Sequence, residues 1–382
     1  MNKTNIMADQ SDLREINRVE QPLIALQSLI FHVTGLCNLK CQHCWQSAYM
    51  ADRQRREDKG PGVVSPADFA CLLKEAKALG LIGVKFTGGE PFLHPDFMDF
   101  LEVANQERLS VGIETNGTLI DKDAIDRLKN INNLFIAVSL DGGSAYLHDR
   151  FRGVKGAFDG AVAAIERLTR VEIPVQIILS LHRKNVNSLD VVVKLADDYG
   201  VQSIKINPIQ PMGRGRKLVQ QGEALPIAEL LQAAKFCKEK LNPDFKGELF
   251  FSLPLAFQAF TEIRDQQFSV CRIFQILGLM PNGDLSFCGI GNIARAMVTG
   301  NIYKDDLADI WEKAPLLIEL RERLPQELKG ICKRCILKAL CLGECRAMAY
   351  EQTGDLMGPY WICQQAYDEG LFPESRLVPD ML

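Results

Sequence analysis

The sequence predicts an α/β protein: a partial (β/α)6 barrel followed by a small cysteine-rich domain. Three observations carry that expectation. Six apolar, β-branched runs recur between residues 28 and 210, each followed by an amphipathic stretch. Their spacing of about thirty residues is that of right-handed βαβ units. From residue 266 onward the periodicity fades and cysteines take its place.

The runs are "SLIFHVTG" (28–35), "GVKFTGG" (83–89), "SVGIETNG" (110–117), "LFIAVSLDG" (134–142), "VQIILSL" (175–181) and "VQSIKINPI" (201–209). Each is nearly continuously apolar, which predicts parallel strands covered on both faces. Helical patterns lie between them. In "SPADFACLLKEAKALG" (65–80), Ser65 is the expected N-cap, Pro66 opens the first turn and Gly80 ends the helix. "HPDFMDFLEVANQE", "DKDAIDRLKN", "GAFDGAVAAIERLTR" and "NSLDVVVKLADDYG" follow. Six units fall short of the eight of a closed TIM barrel, so a TIM-like barrel left open is predicted. Ligands then belong at the C-terminal ends of the strands. Residues 216–265 read as a helical connector, with "PIAELLQAAKFCKEKL" (226–241) as one amphipathic helix. Cys71 and Cys237, each on a helix and apart from the other cysteines, read as buried small hydrophobes.

Composition narrows the function. The chain has 382 residues, 47% of them hydrophobic and 24% charged, with a net charge of −4. No electrostatic footprint for nucleic acid or an anionic membrane is present. No apolar run approaches the length of a membrane span, and the N-terminus lacks the apolar core of a signal peptide. A cytoplasmic location is expected. Twelve cysteines in a reducing compartment then point to metal or catalytic roles rather than disulfides.

Cys37, Cys41 and Cys44 form C-x3-C-x2-C on the loop after the first strand. Three thiolates can hold three irons of a [4Fe–4S] cube and leave the fourth open. Zinc with a distant fourth ligand is the alternative. "FTGGEP" (86–91) ends the second strand. There Gly88 and Gly89 permit close backbone approach to a ligand, and Glu90 can accept from an ammonium group. "ETNGTL" (114–119) ends the third strand and "SLDG" (139–142) the fourth. The last third holds Cys271, then "GDLSFC" ending at Cys288, then Cys332, Cys335, Cys341 and Cys345 as C-x2-C-x5-C-x3-C, and finally Cys363. So small a loop-rich segment lacks the apolar mass to fold alone, and metal binding would supply its stability. Two zinc sites are the alternative there.

These motifs, in this order, resemble the radical S-adenosylmethionine superfamily, and the C-terminal spacing resembles its SPASM appendage, over about residues 28–370. The resemblance implies residues 1–27 as an N-terminal extension, 28–215 as the radical barrel, 216–265 as the connector and 266–382 as an iron–sulfur SPASM domain with a C-terminal tail. It implies S-adenosyl-L-methionine and three [4Fe–4S] clusters. Cys37, Cys41 and Cys44 would hold the first, whose open iron chelates the cofactor's amino and carboxylate groups. One electron then cleaves the sulfonium and releases a 5′-deoxyadenosyl radical that abstracts hydrogen. Gly88, Gly89 and Glu90 would hold the methionine amino group. Asn116, Ser139 and Asp141 would reach its ribose and methionine parts, and Arg152 would pair its carboxylate, unless a local acid such as Asp149 takes that guanidinium. Cys332, Cys335, Cys341 and Cys363 would hold one auxiliary cluster, and Cys271, Cys288 and Cys345 the other, with Asp265 a candidate fourth ligand.

Two departures bear on activity. His43 stands before the last loop cysteine, where the family usually has an aromatic residue packed near adenine; packing is its expected role. Sulfatase maturases carry a further cysteine where Asp265 stands and an acid where Gly289 stands, which argues against that activity. The expected task is modification of a ribosomally synthesised precursor peptide, by an oxidative thioether or carbon–carbon crosslink. A small-molecule substrate such as a tetrapyrrole side chain is the rival, and a zinc-stabilised binding protein the second. The 27 residues before the first strand are too short for a fused winged-helix peptide-recognition domain, so any leader binding would need a separate leader-recognition protein or another surface of this chain. An electron donor such as flavodoxin or ferredoxin is an expected partner. The "GRGRK" cluster (213–217) reads as a structural turn.

Overall fold

The computed structural model describes residues 24–46, 49–50, 63–265, 270–290 and 294–378. Most of the expected N-terminal extension lies outside the described residues. Six parallel strands run side by side in chain order: β1 (Ser28–Thr34), β2 (Gly83–Gly88), β3 (Ser110–Thr115), β4 (Leu134–Ser139), β5 (Val175–Leu181) and β6 (Ser203–Pro208). Between them run α1 (Pro66–Ala78), α2 (Phe97–Gln106), α3 (Lys122–Leu128), α4 (Ala145–Arg152), α5 (Ala157–Arg170) and α6 (Leu189–Asp198). Helix α1 starts as its sequence requires: Ser65 and Asp68 form a reciprocal capping box, and Gly80 takes φ +103° just past the end.

The pleat separates two faces. One face carries Phe31, Phe86, Ile113, Ile136 and Val175, aligned in register from strand to strand and fully buried under the helices. Phe69 of α1 stacks on Phe31 and Phe100 of α2 meets it edge-on, each at 5.1 Å. The opposite, concave face carries Lys85, Glu114, Gln176, Lys205 and Asn207, each partly accessible. The strands are therefore covered by helices on one face only, and the expectation of two covered faces is corrected. The concave face of an open barrel is curved into a cleft, and its wall tolerates polar side chains at every second residue.

After β6 come α7 (Gly215–Gln220) and α8 (Ile227–Phe236), which continues as one π-helical turn to Leu241. The connector is not wholly helical: Glu248–Phe251 forms β7, parallel to β6. On the other edge, β8 (Ile276–Leu279) pairs parallel to β1, and β9 (Asp284–Ser286) and β10 (Val298–Asn301) continue antiparallel. One ten-stranded sheet results, in the order β10-β9-β8-β1-β2-β3-β4-β5-β6-β7. The C-terminal cysteine segment therefore begins as an extension of the barrel sheet.

Helices α9 (Leu307–Lys313), α10 (Pro315–Arg323), α11 (Gly330–Arg334), α12 (Lys338–Cys341), α13 (Arg346–Thr353) and α14 (Trp361–Asp368) follow. Leu277, Phe287, Trp311, Leu320, Met348 and Ile362 belong to the same buried cluster as Phe31 and Phe86. The Trp311 indole donates to the Ile24 carbonyl at 2.7 Å. This corrects the expectation that the segment lacks apolar mass: it borrows the barrel's core. Cys237 is fully buried, as expected. Cys71 is exposed, which corrects its reading as a core residue: Phe69, Leu72, Leu73 and Ala76 take the core face of α1 and leave Cys71 outside. Among the described residues no helix is long and apolar enough to cross a membrane.

Candidate active site

The loop after β1 brings Cys37, Cys41 and Cys44 into one small cluster, with Cys37 and Cys41 buried. Neighbouring segments clamp its backbone. The C-terminal carbonyls of α4 accept from it, Arg152 from Lys40 N–H and Phe151 from Gln42 N–H, both at 2.9 Å. The Cys44 carbonyl accepts from Arg214 N–H at 3.0 Å. Two glycines allow these approaches: a Cβ on Gly153 would meet the Lys40 carbonyl oxygen at 2.8 Å, and one on Gly213 the Trp45 oxygen at 2.3 Å. The "GRGRK" turn is thus the brace of the loop. His43 stacks on Phe151 at 4.5 Å, and Phe151 on His182 at 4.1 Å. Burial pushes the Cys37 thiol up to about 12, with Glu90, Cys41 and Cys44 adding to the rise. Isolated thiolates are thus disfavoured there, and a bound cation would be needed to hold them.

The strand ends surround this loop. A Cβ on Gly89 would lie 1.8 Å from the Leu36 carbonyl oxygen, and one on Gly88, at φ +133°, 2.5 Å from that of Thr34. Only glycines let the β2 turn lie against the loop. Glu90 is buried, and its carboxylate accepts from Thr115 Oγ1 at 2.6 Å, Asn116 N–H at 2.8 Å and Phe92 N–H at 3.3 Å. Burial raises its pKa to about 7 against these hydrogen bonds. Asn116 donates to Asn38 Oδ1 at 2.8 Å and accepts from Thr118 N–H at 2.9 Å and Thr118 Oγ1 at 2.6 Å. Its side chain ties the β3 end to the cysteine loop, a link through Asn38 that sequence reading missed. Ser139 sits at the β4 end, partly accessible.

Asp141 and Arg152 are placed differently from expectation. They pair with each other, Nε to Oδ2 at 2.5 Å, and both are buried. The contact is an ion pair without hydrogen-bond alignment. Arg152 Nη1 also points at Cys41 Sγ, 3.6 Å away. The second Asp141 oxygen accepts from Ser180 N–H at 2.7 Å, and against the cost of burial Arg152 holds this carboxyl below the usual range. Arg152 is therefore neutralised by a local acid and faces the loop, and that acid is Asp141, not Asp149.

The concave wall adds residues absent from the sequence reading. Lys85 Nζ donates to Glu114 at 2.8 Å, and Thr87 Oγ1 to the same carboxylate at 3.1 Å. Their side chains are 41% and 37% accessible although protein surrounds them, so they line the interior cleft. Lys205 makes no ion pair among the described residues, and burial with nearby Lys85 lowers its pKa. His32, buried on the same wall, hydrogen-bonds the Gly289 carbonyl and, at 3.1 Å, Gln46. The available signal was a charge at alternate positions inside apolar runs, as in "VKFT", "GIET" and "IKIN".

The C-terminal cysteines form two groups. Cys332, Cys335, Cys341 and Cys363 line one pocket with Pro254, Ala256 and Phe372. Burial, then Cys332, Cys341 and Cys335, push the Cys363 thiol far up. Cys271 lies close to Cys345: burial raises its pKa to about 12, with Cys345 and then Glu344 adding. Glu114 raises the Lys85 pKa, and Cys271 and Cys288 are near enough to add to that rise. Asp265 instead makes a two-pronged pair with Arg264, at 2.6 and 3.1 Å. A Cβ on Gly289 would lie 2.6 Å from Ile30 Cγ2, so no acidic side chain fits there without repacking. Among the described residues no three His, Cys, Asp or Glu side chains are gathered around a single point. Four thiols around a cavity, and three converging on a loop, fit larger iron–sulfur groups.

Because β8–β10 belong to the barrel sheet, metal loss will not unfold all of residues 266–370. Cys332→Ala is expected to cost about four irons per chain and hydrogen-exchange protection in α11–α14, while β8–β10 stay protected. Cys288→Ala is expected to lose iron with little change in the exchange of α11–α14. Equal deprotection of β8–β10 in the Cys332 variant would show that the segment folds separately after all.

The family model of the Radical SAM superfamily matches residues 31–196, and that of the iron–sulfur cluster-binding SPASM domain matches residues 271–336. Mycofactocin maturase MftC of Mycobacterium tuberculosis (strain ATCC 25618 / H37Rv) is 29% identical, spanning 96% of this chain and 90% of that protein. The AdoMet-dependent heme synthase of Methanosarcina barkeri (strain Fusaro / DSM 804) is 27% identical, spanning 87% of this chain and 95% of that protein. The solved structure of Streptococcus suis SuiB bound to S-adenosylmethionine matches with a TM-score of 0.72 at 19% identity, covering 94% of this chain and 84% of that one. That likeness is one of fold.

Proposed function

Since this chain is a radical SAM enzyme carrying a SPASM domain, we propose that it modifies a ribosomally made precursor peptide, forming an oxidative thioether or carbon–carbon crosslink. The observation that carries this reading is the placement of two three-cysteine sets on one cleft. The Cys37–Cys41–Cys44 loop closes the C-terminal ends of the strands. Cys271 and Cys288 lie near enough to Lys85 on the concave wall to add, after Glu114, to the rise of its pKa. A substrate lying along that wall touches both. Similarity to mycofactocin maturases over nearly the whole chain supports a peptide as that substrate.

When bound, the first cluster supplies the electron that splits S-adenosylmethionine, and the auxiliary clusters offer an outlet for the electron that bond formation releases. The chain's own residues set the geometry. Cys37, Cys41 and Cys44 would hold the first cluster, and the α4 carbonyls and the Gly213 turn keep the loop rigid. Gly88 and Gly89 let the β2 turn lie against the cysteine loop, and Glu90 offers the cofactor's ammonium group a carboxylate already oriented by Thr115 and Asn116. Asp141 holds the Arg152 guanidinium in place beside Cys41. A separate leader-recognition protein and a flavodoxin or ferredoxin donor complete this reading.

Glu90→Gln is expected to weaken S-adenosylmethionine binding roughly ten- to hundredfold, since a hydrogen bond to a charged group is worth about 1.5–3 kcal/mol. Thr115→Val removes a donor to Glu90 but no charge, and should leave affinity nearly unchanged. Equal weakening in both variants, by equilibrium dialysis, would mean that Glu90 only shapes the turn.

The reading is tested by co-expression with a precursor peptide encoded beside this protein. Loss of two hydrogens from the peptide, mapped to a new crosslink, is the expected mass change. A second reading, oxidation of a tetrapyrrole carboxylate side chain, is favoured by the unpaired Lys205 on the wall and by similarity to heme synthases. An unchanged peptide, with loss of carbon dioxide and two hydrogens from a supplied tetrapyrrole, would establish that one instead.

A further inference from the structure

Resting on the reading that Cys37, Cys41 and Cys44 hold a cluster that binds S-adenosylmethionine, we infer that Gln210 is a positioning residue for that cofactor: through the turn after β6 it lets the C-terminal domain set where the first cysteine loop sits. The turn and the start of α7 touch that loop at several points. Arg214 N–H donates to the Cys44 carbonyl at 3.0 Å. A Cβ on Gly213 would meet the Trp45 carbonyl oxygen at 2.3 Å, and one on Gly215 would lie 3.4 Å from that of His43. Side chains repeat the contact. Leu218 of α7 packs with Ile209 and Phe151, and the His43 ring stacks on Phe151.

The other side of the same turn meets the C-terminal domain. Gln210 Oε1 accepts from Trp361 Nε1 at 3.1 Å, and the Arg216 guanidinium pairs with the Glu351 carboxylate. Trp361 opens α14, two residues before Cys363, and Glu351 lies on α13, which Cys345 caps. Helices tied to one cysteine of each C-terminal set therefore rest on the segment that holds Cys44. Gln210 is itself fixed within the turn. Its Nε2 donates to the Pro208 carbonyl at 3.2 Å, and its own carbonyl accepts from Met212 N–H at 2.8 Å. A displacement of α14 thus reaches the Cys44 carbonyl through a turn tied at both ends. Of the two links the Arg216–Glu351 pair is the weaker, because Arg216 is 54% accessible and exposed pairs contribute little. The Gln210–Trp361 bond is partly buried and is the link that matters. A contact cannot transmit more free energy than it holds, so the net worth of a neutral hydrogen bond limits the effect on cofactor affinity to roughly tenfold.

The test uses the full chain, loaded with iron and sulfide under anaerobic conditions, and compares Gln210→Leu, Trp361→Phe and the double variant with the parent. The readouts are S-adenosylmethionine affinity by equilibrium dialysis, hydrogen exchange of residues 40–46 and 212–216, and the thermal midpoint. Each single variant should bind the cofactor roughly three- to tenfold more weakly, with iron content unchanged. The double variant should lose no more than the weaker-binding single one, because both substitutions cut the same link. Exchange should rise at Arg214, whose N–H holds Cys44, and across the cysteine loop. A link that only stabilises the chain would lower the midpoint and leave affinity and loop exchange as in the parent, and that result overturns the inference. So does a double variant whose loss is the product of the single losses. Trp361→Phe keeps an aromatic ring in place, so it decides the question even where Gln210→Leu folds poorly. A parent that takes up iron but binds no S-adenosylmethionine would instead overturn the cofactor reading itself, and this inference with it.

Discussion

Replacing Cys37, Cys41 and Cys44 together by Ala is expected to abolish formation of 5′-deoxyadenosine under dithionite. Among the described residues, the three thiols are the one group of sulfur donors on the loop at the strand ends. The loop itself should survive. Its backbone is held from outside, by Arg152 and Phe151 of α4 and by Arg214. The variant should therefore stay folded and keep the irons of the C-terminal sets, so lost cleavage cannot be attributed to unfolding. Undiminished 5′-deoxyadenosine in the triple variant would remove the loop from the reaction.

Asp141→Ala is expected to destabilise the protein by about 3–5 kcal/mol, the cost of stranding a buried charge. Arg152 has 8% and Asp141 0% of the side chain accessible, so no water replaces the missing partner. The same substitution removes the acceptor of Ser180 N–H. A fall in thermal midpoint, measured at one loading of iron and one pH, reads the effect. The double variant Asp141→Ala/Arg152→Met should recover part of the loss, because an apolar pair carries no uncompensated charge. Equal midpoints for the single and double variants would show that the charge is not what matters at this site.

The first of these expectations is legible in the sequence, and the second is not. Cys37, Cys41 and Cys44 lie within eight residues, and a spacing that short fixes which side chains share a loop whatever the rest of the chain does. Gly88, Gly89 and Glu90 are local in the same way. The pairing of Asp141 with Arg152 could not be told in advance from one with Asp149, because it depends on how α4 packs across the end of β4. Cys71 was misread because one cysteine on an amphipathic helix is assigned to a face only when the neighbouring elements are placed.

The sequence by itself determined the six parallel strands, their order, and the motifs at their C-terminal ends, since hydrophobic period and short spacings are local properties of the chain. Only the tertiary structure decided what faces what. Lys85 and Glu114 sit on adjacent strands, 29 positions apart in sequence, and His32 meets Gly289 from 257 positions away. The C-terminal strands attach to the edge of β1 and share the barrel's core, although their own segment looks too poor in apolar residues to fold. Such contacts are set by strand register and helix packing, which join residues far apart along the chain and leave no period in it.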